Sequence, residues 1–192
     1  MSGLLSLVRR KVFVSYHRAD EQEVQHFIKW FDHAADAFIA RGIGSGMAGD
    51  VIDSKNSDYI MGRIRSLYLS DSTVTVVMIG NCTWSRKYVD WEVQASLRSG
   101  GLSPPNGLIG IRLPSYHGNA YPRRLNLNLL PEKRGLLAPT DCYARVYDMP
   151  RSVAEFRDYV EDAFRARTAR RTLIQNPRSR MGRDLDCGHP WH

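Results

Sequence analysis

The sequence predicts an α/β domain, a central parallel sheet with helices on both faces. Three observations predict it. Short runs of apolar and β-branched residues, Val12–Tyr16, Thr73–Ile79 and Leu108–Leu113, have the length of strands. Stretches with apolar residues at helical spacing separate them. The run Thr73–Ile79 is apolar almost throughout, as a central strand covered on both sides must be. Alternation of strand and helix in one sheet implies parallel pairing, with the ligand crevice at the carboxyl ends of the strands.

Taken in order, Val12–Tyr16 is the first strand. Asp20, with Glu23 three positions on, has the character of a helix cap, and Val24, Phe27, Ile28, Phe31, Ala35 and Phe38 form the apolar face of the helix that follows. Residues 41–55 hold Gly42, Gly44, Gly46 and Gly49 and read as a long loop, with a short strand or turn at Val51-Ile52; loops of that length are often functional. Ser57 is expected to cap a second helix over Asp58–Leu69, with Ile60, Ile64 and Leu67 facing inward. After the central strand, Gly80–Thr83 turns the chain into a helix over Tyr88–Arg98, ended by Gly100-Gly101. Pro114 stops the strand Leu108–Leu113, and residues 115–142, rich in Pro, Asn, Gly and Arg, are expected to run over the surface. A short extended piece, Ala144–Tyr147, precedes a C-terminal helix from Val153 to about Arg170, with Phe156, Tyr159, Val160 and Phe164 on one face.

Composition narrows the class. Of 192 residues, 43% are hydrophobic and 24% charged, which suits a globular domain and excludes a wholly disordered chain. The longest apolar runs are far too short to cross a bilayer, and Leu4–Val8 is followed by Arg9-Arg10-Lys11 where a cleavage site would lie, so a cytoplasmic protein is expected. Three cysteines, Cys82, Cys142 and Cys187, do not suggest a disulfide framework and are expected as reduced thiols. The net charge of +7 is concentrated late: residues 165–183 carry seven arginines and no acidic residue. Residues 171–192 are therefore expected to form a basic, flexible tail, with 1–10 an N-terminal extension and 11–170 the domain. Such a tail could attract nucleic acid, but solvation is the simpler reading and nucleic acid is not an expected partner. Cys187-Gly-His189-Pro-Trp-His192 looks like half a metal site, but the sequence offers no matching second half, and no metal is expected. Gly42–Gly49 lacks the residues of a phosphate-binding P-loop.

Two stretches open at the same sheet edge. Phe13-x-Ser15-Tyr16-His17-x-x-Asp20 follows the first strand, and Ile79-Gly80 leads through Thr83 and Arg86-Lys87-Tyr88-Val89 to Glu92 after the central one. Over Lys11–Leu113 the chain resembles the TIR-like domains of bacterial Thoeris anti-phage systems, the ThsB family. The resemblance implies a three-layer, flavodoxin-like TIR fold and an NAD+-cleaving activity with Glu92 as the catalytic carboxylate. It also implies substrate contacts from Ser15, Tyr16, His17 and Tyr88. Tyr88 and Glu92 stand at i and i+4, so one pocket could border both. Cleavage of the nicotinamide–ribose bond develops an oxocarbenium-like centre, which a carboxylate stabilises. NAD+ is then a substrate and no cofactor is expected. The expected partners are other copies of the chain, an effector reached through a diffusible nucleotide signal and, where sensing is triggered, a phage-derived activator; no membrane is expected. The rival reading is a non-catalytic interaction module of the same fold. Without the resemblance, Glu92 reads as a solvated helix residue, Tyr88 and Trp91 as core aromatics, His17 as a loop residue and Asp20 as a cap.

Overall fold

The computed structural model describes residues 9–34, 38–42, 56–99, 104–129 and 142–188. Five parallel strands form one sheet in the order β2-β1-β3-β4-β5: β1 (Arg10–Ser15), β2 (Phe38–Gly42), β3 (Val74–Ile79), β4 (Gly107–Arg112) and β5 (Arg145–Tyr147). This is the α/β, flavodoxin-like arrangement expected. Strand β3 is buried at all six positions, as its apolar composition demands.

Alternation along the strands sorts side chains between two layers. Val12, Val14, Val74, Val76, Met78, Ile109 and Ile111 face helices α1 (Glu21–Ile28) and α5 (Val153–Ala169), where Phe27 meets Phe156 edge-on at 5.2 Å. Phe13, Val77, Ile79 and Leu108 face the other layer, which contains α2 (Ser57–Ile64), α3 (Lys87–Ser96) and the short α4 (Arg123–Asn128).

Several expectations are corrected. The first helix ends sooner than its apolar spacing suggests: it passes into a π-helical turn, Lys29–Ala34, and Phe38 begins β2. Asn56, not Ser57, caps α2, accepting from the amides of Asp58 and Tyr59. A second π-helical turn, Arg65–Leu69, advances the helix face, so that Leu69 is buried and Leu67 is exposed. Within residues 115–142, α4 is helical and buries Arg124, Leu125 and Asn128. The Gly44–Gly49 and Val51-Ile52 portions of the expected loop lie outside the described residues, as do His189 and His192.

The C-terminal segment differs most from expectation. Instead of leaving the domain, residues 171–188 run as a strap over α3 and α4. Gln94 donates to the carbonyls of Pro177 and Arg178, Trp91 donates to Met181, and the Leu185 amide donates to Ser85. Cys82, in the turn after β3, is disulfide-bonded to Cys187, with Cα atoms 5.4 Å apart. The expectation of three reduced thiols is therefore corrected; only Cys142, which is buried, keeps its thiol. The cause is the strap, which brings together two cysteines 105 residues apart.

Candidate active site

Ser15 ends β1 with its side chain on the same side as Phe13, toward α3. There its hydroxyl donates to Glu92 Oε2 at 2.5 Å. Both residues are buried, Ser15 at 1% and Glu92 at 6% exposure. Removal from water disfavours the charged carboxylate and raises the Glu92 pKa to about 8, while the Ser15 hydrogen bond pulls the other way. Among the described residues, no positive side chain contributes to this balance.

The helix holding Glu92 is buried from Val89 to Ser96 because it has neighbours all round. Sheet strands lie beneath it, α2 and α4 beside it, and the strap across it. Beside Glu92, Asp90 forms a buried ion pair with Arg124 at 2.8 Å and also accepts from the Met181 amide. Arg124 reaches on to Asn176 and to the carbonyls of Pro177 and Ser179. The helix position is thus fixed by charge-assisted contacts from α4 and the strap. Sequence reasoning did not find these residues. The one available signal was an aspartate between Val89 and Trp91, with its cation 34 residues away.

The two motifs meet at a second point. Asp20 does not cap its helix through its side chain. Its carboxylate accepts from Thr83 Oγ1 at 3.2 Å, and Thr83 Oγ1 in turn accepts from the Gly80 amide at 2.8 Å. A Cβ at position 80 would overlap the Asp20 carboxylate, so this contact requires glycine. Glu23, the other half of the expected capping pair, accepts instead from the Ser115 amide. A local cap has been exchanged for ties between loops at the carboxyl edge of the sheet.

The remaining candidates are more dispersed. Tyr16 packs on the α1 side of the sheet, opposite to Ser15. Burial raises its pKa, with Glu21 adding to the effect, a hydrogen bond to Gln25 opposing it and Glu92 making a smaller contribution. Tyr16 therefore lies within electrostatic range of the carboxyl without sharing its layer. His17 is partly buried, and its carbonyl accepts from the Asp20 amide. Tyr88 stands in the first turn of α3, edge-on to Trp91 at 5.5 Å, with the Lys87 ammonium 4.8 Å from its ring centre. Trp91 is a core residue, 5% exposed. Cys187 is committed to its disulfide, and among the described residues no group of three or more His, Cys, Asp or Glu side chains is placed to hold a metal.

A β1-terminal serine bonded to a buried glutamate in the helix after β3, beneath two interlocked loops, is an arrangement that can be compared with known families. The family described as Thoeris protein ThsB, TIR-like domain, matches residues 13–117. The chain belongs to that family. No curated protein matches it at a significant level. The ThsB-family match runs from Phe13 to His117, covering both motifs and the chain from the second half of β1 through β4. Membership points to a role in anti-phage defence. Among the described residues, no helix of this ThsB-family domain is long and apolar enough to cross a membrane.

Proposed function

We propose that this chain cleaves NAD+ at the nicotinamide–ribose bond and converts the ADP-ribose part into a cyclic or conjugated signal for a separate effector. The supporting observation is the state of Glu92: a buried carboxyl with a pKa of about 8, bonded to Ser15 and with no cation beside it among the described residues. An acid held that way responds strongly to an incoming positive charge. The nicotinamide ring of NAD+ carries one, and as the bond breaks the positive charge moves to the ribose. Both favour ionised Glu92, and in a water-poor environment the attraction is strong. Ser15 holds the carboxyl in one orientation. After nicotinamide leaves, an internal nucleophile on the same ADP-ribose competes with water, and confinement favours it. Family membership supports a signalling product over bulk consumption of NAD+.

The test compares the full chain with Glu92→Gln, using chromatography and mass spectrometry of NAD+ reactions under activating conditions. Loss of one well-placed electrostatic contact in the transition state typically lowers rate by roughly 100-fold or more, so the folded variant should fall at least that far. Native-rate cleavage by the folded variant would remove Glu92 from the chemistry and favour the non-catalytic interaction module. Protein-free filtrates decide the product: linear ADP-ribose alone, in a filtrate that leaves the effector inert, would remove the signalling half while keeping NAD+ cleavage.

A further inference from the structure

The amino edge of the sheet, at the opposite end from Ser15, carries a cleft of about 510 Å³. Its walls come from the end of α2 and its π-helical turn, the lead-in to β3, the segment before β4, and α5. Arg65 and Arg167 both line it, and both are half-buried.

Their partners are neutral. Arg65 Nη1 donates to the main-chain carbonyls of Ala95 and Arg98, and Arg167 Nε donates to the carbonyl of Pro105 at 2.9 Å. Arg167 also lies over the Phe164 ring. Neither guanidinium has a carboxylate partner among the described residues. The one carboxylate on the described wall, Asp71, is held by the Lys11 ammonium at 2.9 Å. Burial lowers both arginine pKa values, with Arg98 adding to the effect on Arg65. For Arg167, Tyr143 opposes the shift and Arg10 adds to it.

Guanidinium groups stay charged in proteins, so two half-buried arginines lining one cleft, with no carboxylate partner among the described residues, leave positive charge there uncompensated. An oxyanion removes it, and the two-pronged geometry of arginine fits tetrahedral phosphate oxygens. The Ser70 hydroxyl, on the same wall, adds a donor. We propose that this cleft is a binding site for a phosphate-class oxyanion, supplied as inorganic phosphate or as the phosphate group of a small metabolite. The volume is larger than a lone phosphate needs and leaves room for such a tail.

Arg65 also holds the Ala95 carbonyl at the end of α3 and the Arg98 carbonyl just beyond it, so the most informative substitutions lie elsewhere. Gly62 lines the cleft from α2, and a Cβ there would meet nothing within 4 Å. Gly62→Asp and Gly62→Lys therefore alter the charge of the cleft without crowding the fold. Isothermal titration calorimetry of the full chain uses inorganic phosphate and glycerol 3-phosphate, at matched ionic strength with chloride as control. Saturable binding is expected, weakened roughly tenfold or more by Gly62→Asp and by Arg167→Gln, and strengthened by Gly62→Lys. Tighter binding of glycerol 3-phosphate assigns the site to a phosphorylated metabolite, and equal or weaker binding assigns it to inorganic phosphate. Absence of saturable binding to both, or binding indifferent to the charge at position 62, overturns the proposal.

Discussion

The two faces of the sheet are stabilised by different means. Helices α1 and α5 contribute only apolar residues to the buried set: Val24, Phe27, Phe156, Val160, Ala163 and Ala166. Helices α3 and α4, on the other side, bury Asp90, Glu92, Gln94, Ser96, Arg124 and Asn128 among their apolar neighbours. The first layer gains from every atom it removes from water, at about 25 cal/mol per Å² of apolar surface. The second must find a partner for each polar group, or lose stability. Its polar groups then divide again. Asp90, Gln94, Arg124 and Asn128 are tied to α4 or the strap, whereas among the described residues Glu92 is given only the Ser15 hydroxyl. A buried acid so lightly compensated adds little to the fold, and it is the group on which the proposed function rests.

Truncating Phe156 to Ala should have the largest effect on this contrast. It opens a cavity between α5 and α1 and should cost about 4 kcal/mol, by the same amount at pH 5 and pH 8. Urea unfolding at both values checks it, and a marked pH dependence would show that the apolar layer is not electrostatically silent. Next comes Asp90→Ala, which leaves Arg124 buried without its carboxylate and should cost about 3 kcal/mol. It also removes the acceptor of the Met181 amide, so trypsin should cut sooner after Arg178, Arg180 and Arg183. Unchanged proteolysis would mean that the strap is held independently of the ion pair.

The smallest effect has the opposite sign. Folding raises the Glu92 pKa from 4.5 to about 8, so the native state binds this proton more tightly than the unfolded chain. Its contribution is complete below pH 4.5 and is lost progressively as pH rises toward 8. Glu92→Gln does not titrate. Between pH 4 and pH 6 the variant should therefore gain about 2 kcal/mol relative to the parent protein. Parallel stability curves for the two proteins would show that Glu92 is better solvated than its burial implies.

The parts legible in sequence are those decided by neighbours along the chain. Val12–Tyr16, Thr73–Ile79 and Leu108–Leu113 are strands because their composition suits a pleated, two-sided burial, and the structure keeps each within a residue or two. Features decided at a distance were not legible. Phe38 continued the spacing of the first helix and so read as part of its face, although it starts β2. Asp20 and Glu23 looked like a local cap, yet tertiary partners claim both carboxylates. The residues Val89–Ser96 show no clean polar face because no side of that helix meets water. Nothing in that stretch announces a cover formed some 90 residues later. For the candidate site, the motifs indicated that Ser15 and Glu92 belong to the same sheet edge; the hydrogen bond and the displaced pKa required coordinates.

That cover separates kinship from self-sufficiency. The segment shared with the family stops at residue 117, but the layers on both sides of it are completed later in the chain. Phe156 and Val160 fill one side, and the strap with its link to Cys82 closes the other. The stretch that defines ancestry is therefore not an independent module. Cut at its own boundary, it would expose Trp91 and Gln94, leave Asp90 without Arg124, and open the apolar surface that α5 covers.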